Sequence, residues 1–193
     1  MVRQKTGQKE KDILDAAVVL FSTVGFHHTR IEQIAAQAGV AAGTIYLYFR
    51  NKEEILKAIF RRFAENYDRQ IRHGFSGIKD PRKKLDYLIS SDFAVITEAP
   101  ERSRLFLVEL RQSQTSLLFI KEYLTRRYQS YLTEVCSQDF SLPEETIRFL
   151  AVMVSGILEN LLFEHVFGKR SIAPEQFKPL ILNLVFYYKP KTQ

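Results

Sequence analysis

The sequence predicts an all-α protein with an N-terminal three-helix domain carrying a helix-turn-helix and a C-terminal helical domain. Three observations carry this. Apolar residues recur at three- and four-residue spacing along most of the chain. No alternating, strand-like segment of useful length interrupts them. Residues 29–60, TRIEQIAAQAGVAAGTIYLYFRNKEEILKAIF, set two short helices about a glycine turn, ahead of a third.

The first helix is read from Ile13, Leu14, Ala17, Leu20, Phe21 and Val24, which fall on one face, with Gly25 placed to close it in the left-handed conformation. Thr29 then precedes a periodic segment and Glu32 follows three residues later, the spacing of a capping box. Ile31, Ile34 and Ala35 point inward, and Gly39 ends the element. The next helix holds Ala41, Ala42, Gly43, Thr44, Ile45, Tyr46, Leu47 and Tyr48, with Ile45 as its inward anchor near Ala35. Asn51 caps a fourth helix with Glu54 at the box position, and Ile55, Leu56, Ile59, Phe60, Phe63 and Tyr67 form its stripe.

So short a helix pair buries little core, so the first and fourth helices must complete the bundle. What stays outward is the start of the second helix and one side of the third. The small residues Ala41, Ala42 and Gly43 leave nothing to hold that backbone away from a base edge. Docked in a major groove, the third helix brings Thr44 and Tyr46 toward bases, while Thr29, Arg30, Tyr48 and Lys52 flank phosphates. The competing reading packs Tyr46 and Tyr48 between helices and leaves Arg30 and Lys52 as solvated charges. His27 and His28 lack partners at metal-ligand spacing, so no metal is expected.

The run GFHHTRIEQIAAQAGVAAGTIYLYFRNKEEIL resembles the signature of the TetR family of bacterial transcriptional regulators, with glycine, aromatic and lysine positions in register. The resemblance covers the first third of the chain. It implies an all-α homodimer with an N-terminal DNA-binding domain and a C-terminal ligand-binding and dimerisation domain, here divided as 1–53 and 54–193. It places DNA contacts at Thr29, Arg30, Gly43, Thr44, Tyr46, Tyr48 and Lys52, beside the small Ala42. Ala41 and Ala42 stand where polar residues are common, which rests base specificity on few side chains.

Composition agrees. The 193 residues carry a net charge of +6, and residues 1–62 hold 10 basic against 6 acidic side chains, so the surplus coincides with the motif. Arg3, Lys5, Lys9 and Lys11 form a basic lead-in, either an arm on DNA or a solvated tail. One cysteine, Cys136, excludes an intrachain disulfide, no apolar signal segment opens the chain, and no apolar run approaches the ~18 residues of a membrane span. A cytoplasmic protein without membrane association is expected. There is no Gly-rich phosphate loop, HExxH, CxxC or nucleophile elbow, which argues against an enzyme and implies no cofactor.

From Phe63 onward lie eleven of the fifteen phenylalanines. The fourth helix is expected to reach about Gly74, with FSGIKDP as a loop. Asp80 caps and Pro81 opens the next helix, whose stripe is Leu85, Leu88, Ile89, Phe93 and Ile96. Pro100 opens another. A further helix, from about Leu117 to Val135, turns Leu117, Ile120, Leu124, Tyr128, Tyr131 and Val135 inward. Ser141, Pro143 and Glu144 start the next with a capping box. From Ile147 to Val166 it is apolar on more than one face, through Phe149, Leu150, Val152, Met153, Val154, Ile157, Leu158, Leu161 and Leu162. Such a helix needs cover all round. With Leu180, Ile181, Leu184 and Val185 on the last helix, the simplest account is a two-fold four-helix interface. Pro179 should kink or shorten that last helix, and Gly156 serves either close approach across the interface or local packing.

Polar groups embedded in these apolar helices mark candidate ligand positions, because burial without partners is costly. They are Glu109 and Arg111 in LVELRQSQ, and Glu159, Asn160 and His165 in ILENLLFEHVF. The segment VELRQSQTSLLFIKEYLTRRYQSYL resembles the TetR subset that responds to long-chain acyl-CoA and controls fatty acid degradation. That likeness implies an acyl tail lined by Phe93, Phe106 and Phe163, with Arg111 near a phosphate or the pantetheine. The leading expectation is a repressor released by such an effector. A repressor answering another lipophilic ligand such as a drug, or a DNA-binding protein with a protein partner, stands as the alternative.

Overall fold

The computed structural model describes residues 2–98, 114–139, 142–168 and 173–187. All eight regular elements among them are α-helices: α1 (Val2–Thr23), α2 (Ile31–Gln37), α3 (Ala42–Tyr46), α4 (Lys52–Ser76), α5 (Pro81–Glu98), α6 (Gln114–Asp139), α7 (Glu144–Phe167) and α8 (Pro174–Phe186). Two compact units divide within α4, between Tyr67 and Asp68.

In the first unit, Ile13, Leu14, Ala17 and Phe21 of α1 meet Ile34 and Ala35 of α2, Ile45 of α3 and Ile55, Leu56 and Ile59 of α4 in one buried cluster. The first turns of α4 thus complete the bundle that the short helices cannot close. Phe26 and Phe49 join it from the connections, with the Phe26 ring edge-on to Phe21 at 5.1 Å. Gly25 (φ 90°) and Gly39 (φ 67°) take the left-handed conformation that ends α1 and reverses the chain after α2, at no Cβ cost. Asn51 accepts the Glu54 backbone N–H at 2.9 Å, and the Glu54 carboxylate accepts the Arg50 N–H at 2.8 Å, which fixes the start of α4.

Three expectations for this unit are corrected. Val24 is 41% exposed, because the helical register stops at Thr23. Thr29 does not cap α2: the N-cap is Arg30, whose N–H donates to the Gln33 side chain at 2.8 Å. The Thr29 hydroxyl instead donates backward to the Gly25 carbonyl at 2.7 Å. The basic lead-in is no loose tail, since α1 starts at Val2.

In the second unit, Asp80 accepts the N–H groups of Arg82 (2.8 Å) and Lys83 (3.1 Å), and Pro81 is the first residue of α5. Leu85, Leu88, Ile89 and Phe93 are buried as their spacing requires. Tyr128, Tyr131, Leu132, Val135 and Cys136 bury the inner face of α6, and Leu150, Ala151, Val154, Leu158 and Leu161 that of α7. Lys178 ties α8 to α5 through Asp86 (3.1 Å) and Ser90 (3.0 Å). The α4 helix runs two residues past Gly74, to Ser76. Gly74 answers to packing: a Cβ there would stand 2.3 Å from the Tyr87 ring.

The capping box expected before α7 is absent, because Pro143 is the N-cap and makes no side-chain cap bond; Ser141 lies outside the described residues. Pro179 does not shorten α8, which runs through it to Phe186 and forgoes one backbone bond. The expectation of no membrane-length apolar run is also corrected. The stretch Glu144–His165 of α7 is long and apolar enough by length and composition. It is the helix that faces two ways, with Phe149 (69%), Val152 and Met153 exposed opposite its buried residues. The expected helix after Pro100 and the side chains of Ile96, Leu117, Ile120 and Leu162 lie outside the described residues.

Candidate nucleic-acid interface

The core decides which residues α3 presents. Ile45 and Phe49 are buried, and Ala42 packs partly against the same cluster. With 3.6 residues per turn, the opposite side is then fixed. It carries Gly43, Tyr46 (56% exposed) and Leu47 (83% exposed), with Thr44 and Tyr48 half-buried at its flanks. Tyr48 is tilted against Phe49, with ring centroids 6.4 Å apart. Arg30 is exposed at the start of α2. A Cβ on Gly43 would meet nothing within 4 Å. No neighbour in the chain requires glycine there.

Two residues expected at phosphates have other duties. Thr29 is 1% exposed, and its hydroxyl and N–H both bond the Gly25 carbonyl. Lys52 directs its ammonium at three backbone carbonyls, those of Phe26 (2.7 Å), His27 (3.2 Å) and Thr29 (2.7 Å), and lies 4.9 Å from the Phe26 ring centre. An ammonium has three protons, so these contacts use them. In this geometry Thr29 and Lys52 hold the connection that positions α2. Leu47 was missed. Its signal is plain once Gly43 is taken as outward, since four residues further along a helix returns to the same face.

Of the sequence-predicted effector residues, Phe93 lies on α5 and Asn160 and Phe163 lie on α7. Phe93 is buried (2%) in α5, and Phe163 is half-buried with its ring 5.1 Å from that of Phe167. Asn160 is exposed, its amide donating to the Gly156 carbonyl at 2.9 Å. Glu159 faces Lys121 at 3.8 Å. Phe106, Glu109 and Arg111 lie outside the described residues.

What sequence reasoning missed in the second unit is a polar network joining α4, α5 and α6. The side chain of Arg127, 9% exposed, sits 3.1 Å from Asp68 and 2.8 Å from Asp92. Tyr123 and Tyr131 donate to Asp68 at 2.8 and 3.0 Å, and Tyr128 donates to Asp92. Burial, and then the charge and hydrogen bond of Asp68, raise the Tyr131 phenol well above its ordinary value. Burial alone pushes the Cys136 thiol from 9.0 up to about 11.

A small helical bundle presenting a short, open-faced helix, followed by a helical unit with an uncovered apolar face, is the design of a DNA-binding transcriptional regulator. Comparison with known proteins makes this specific. The family profile of bacterial regulatory proteins, tetR family, matches residues 13–59. The fatty acid metabolism regulator protein of Bacillus subtilis (strain 168) is 36% identical over 156 residues, 79% of this chain and 80% of that one. Among solved structures, the regulator FadR of Bacillus subtilis in complex with stearoyl-CoA superimposes with a TM-score of 0.73, at 27% identity over 91% of this chain and 96% of that one. The fatty acid degradation regulator FadR of Bacillus halodurans gives 0.74, at 26% identity over 92% and 94%. The chain belongs to the tetR family of bacterial regulatory proteins. It is a transcriptional regulator homologous to fatty acid metabolism regulators.

Proposed function

We propose that the protein is a homodimeric repressor that leaves its DNA when a long-chain acyl-CoA occupies the C-terminal domain. The observation that carries this is the 36% identity to a fatty acid metabolism regulator, joined by likeness to a structure holding stearoyl-CoA. Residues 1–53 serve DNA binding and 54–193 serve effector binding and dimerisation. On the DNA side, Gly43, Thr44, Tyr46 and Leu47 meet base edges, while Arg30 and Tyr48 meet phosphates. The exposed Leu47 suits a thymine methyl group. On the effector side, Phe93 and Phe163 line the acyl tail and Arg111 serves its polar end.

The dimer is supported by Phe149, Val152 and Met153 on α7 and Leu180 on α8, all exposed in the single chain. Gly156 belongs to this reading, since a Cβ there meets nothing within 4 Å in its own chain. Two recognition helices read successive major grooves only when about 34–36 Å apart, so a ligand that alters this spacing releases DNA without touching it. Catalysis has no part in this account, and the cytoplasm is where it operates. The test is a gel-shift series on DNA upstream of the protein's own coding sequence. Stearoyl-CoA should lower affinity about 5- to 150-fold, the usual range of such coupling. Unchanged affinity in saturating stearoyl-CoA would remove the acyl-CoA reading.

A further inference from the structure

A cavity of about 440 Å³ opens in the second unit, between the last turns of α4, the start of α5 and the C-terminal half of α6. Three cations line it, Arg72, Lys79 and Lys84, against a single carboxylate, Glu134. Lys84 is 7% exposed, which is rare for lysine. Its ammonium donates to Glu134 at 2.8 Å and lies 5.4 Å from the centre of the Phe75 ring. An ammonium carries three protons, and the other two meet no acceptor among the described residues.

Arg72 stacks on the ring of Tyr131, 5.9 Å from its centre, and makes no ion pair or hydrogen bond among the described residues. Lys79 likewise has none. The N–H groups of Arg82 and Lys83 at the start of α5 are already taken by Asp80, so the cavity's donors are side chains. Glu134 offsets one of the three positive charges. Two remain, converging on a space with aromatic Phe75 and aliphatic Ile78 in its wall.

We propose that this cavity is a binding site for a phosphate-bearing small molecule. Phosphoryl oxygens would be held by the Lys84 ammonium and the fork of Arg72, with Lys79 at the mouth. The apolar part of the ligand rests on Phe75 and Ile78. A phosphoryl group can address three separate cations, whereas a carboxylate has only two oxygens. The volume exceeds that of bare phosphate and falls in the range of small-molecule sites. This inference does not rest on the acyl-CoA reading. A free organic phosphate and the phosphates of a coenzyme A thioester share the required chemistry.

Isothermal titration of the full-length protein at low ionic strength with inorganic pyrophosphate, ADP, coenzyme A and octanoate tests it. The three phosphate probes should bind saturably, one per chain, and octanoate at least tenfold more weakly. Arg72→Ala with Lys79→Ala, both on the surface, should weaken the phosphates at least tenfold while thermal unfolding and DNA affinity stay parental. Lys84→Met with Glu134→Gln removes the buried ammonium together with its partner carboxylate, keeps the fold, and should abolish the heat. No saturable heat from any of the three on the parent, or parental affinity in both double variants, overturns the proposal. So does binding of stearoyl-CoA while pyrophosphate, ADP and coenzyme A stay silent. If stearoyl-CoA fails to release DNA but pyrophosphate binding is lost in Arg72→Ala/Lys79→Ala, the acyl-CoA reading falls and this one stands.

Discussion

At the residue scale, side chains proposed to touch DNA differ from side chains that hold the reader in shape. Leu47, 83% exposed, adds nothing to the core, so Leu47→Ala should leave thermal stability unchanged. It should weaken DNA binding by about 1.5–3 kcal/mol, the worth of burying such a side chain; anisotropy titration reads this directly. Gly43→Ala should raise helix stability by up to about 1 kcal/mol, since nothing in the chain opposes a methyl group there, yet weaken DNA binding. Lys52→Met should do the reverse of a phosphate contact. It loses about 1–3 kcal/mol of stability as carbonyls go unpaired, with the salt dependence of binding unaltered. Arg30→Ala should reduce the salt slope by about one. A Lys52→Met protein of parental stability and reduced salt slope would return Lys52 to the phosphates. These distinctions were only half legible in the sequence. A threonine ahead of a helix reads the same whether its hydroxyl caps forward or, as Thr29 does, bonds backward to Gly25. A lysine at a helix start likewise hides whether backbone carbonyls 23 to 26 residues away have claimed it.

At the scale of elements, helices were readable wherever periodicity and punctuation agreed. Asn51 with Glu54, Asp80 with Pro81, and Gly25 and Gly39 all act as their residue types require. Contacts made between helices were not readable. Gly74 sits mid-pattern as a plausible terminus, but Tyr87 from the next helix sets its size. Gly74→Ala should cost about 1–3 kcal/mol as an overpacked contact, and Tyr87→Leu should recover part of it in urea melts. Arg127, Asp68 and Asp92 come from three helices with no common spacing, so no local pattern could join them. Arg127→Met, which leaves Asp68 and Asp92 without their shared cation, should cost about 3–5 kcal/mol. The raised Tyr131 and Cys136 values set a pH dependence. A group whose folded value lies above its unfolded one stabilises below the unfolded value and loses that contribution as pH rises toward the folded one. Stability should therefore hold through neutrality, fall from about pH 9 to 11 as Cys136 titrates, and fall further above pH 10 with Tyr131. Urea midpoints across that range check it.

At the scale of the whole molecule, the proposed function depends on two readers presented at one spacing. The exposed Phe149, Val152, Met153 and Leu180 make the apolar surface on which the proposed pairing would rest. Phe149→Glu with Leu180→Glu, both at solvent-facing positions, should yield a folded monomer by analytical ultracentrifugation and cost most of the DNA affinity, because one half-site is left to bind alone. The regulator class was legible from a third of the chain, since its glycine turn, aromatic and lysine positions fall in one short run. The effector class was legible only through the resemblance carried by VELRQSQTSLLFIKEYLTRRYQSYL, and the residues that would hold it were not, because aromatic residues such as Phe93 line cores and pockets alike.

The most direct measurement is fluorescence anisotropy of the protein on DNA upstream of its own coding sequence, with and without stearoyl-CoA, for the parent and Leu47→Ala. The account predicts sequence-selective binding by two chains per site, weakened by Leu47→Ala and by stearoyl-CoA independently. Binding that ignores sequence, a single chain per site, or indifference to both changes would contradict it.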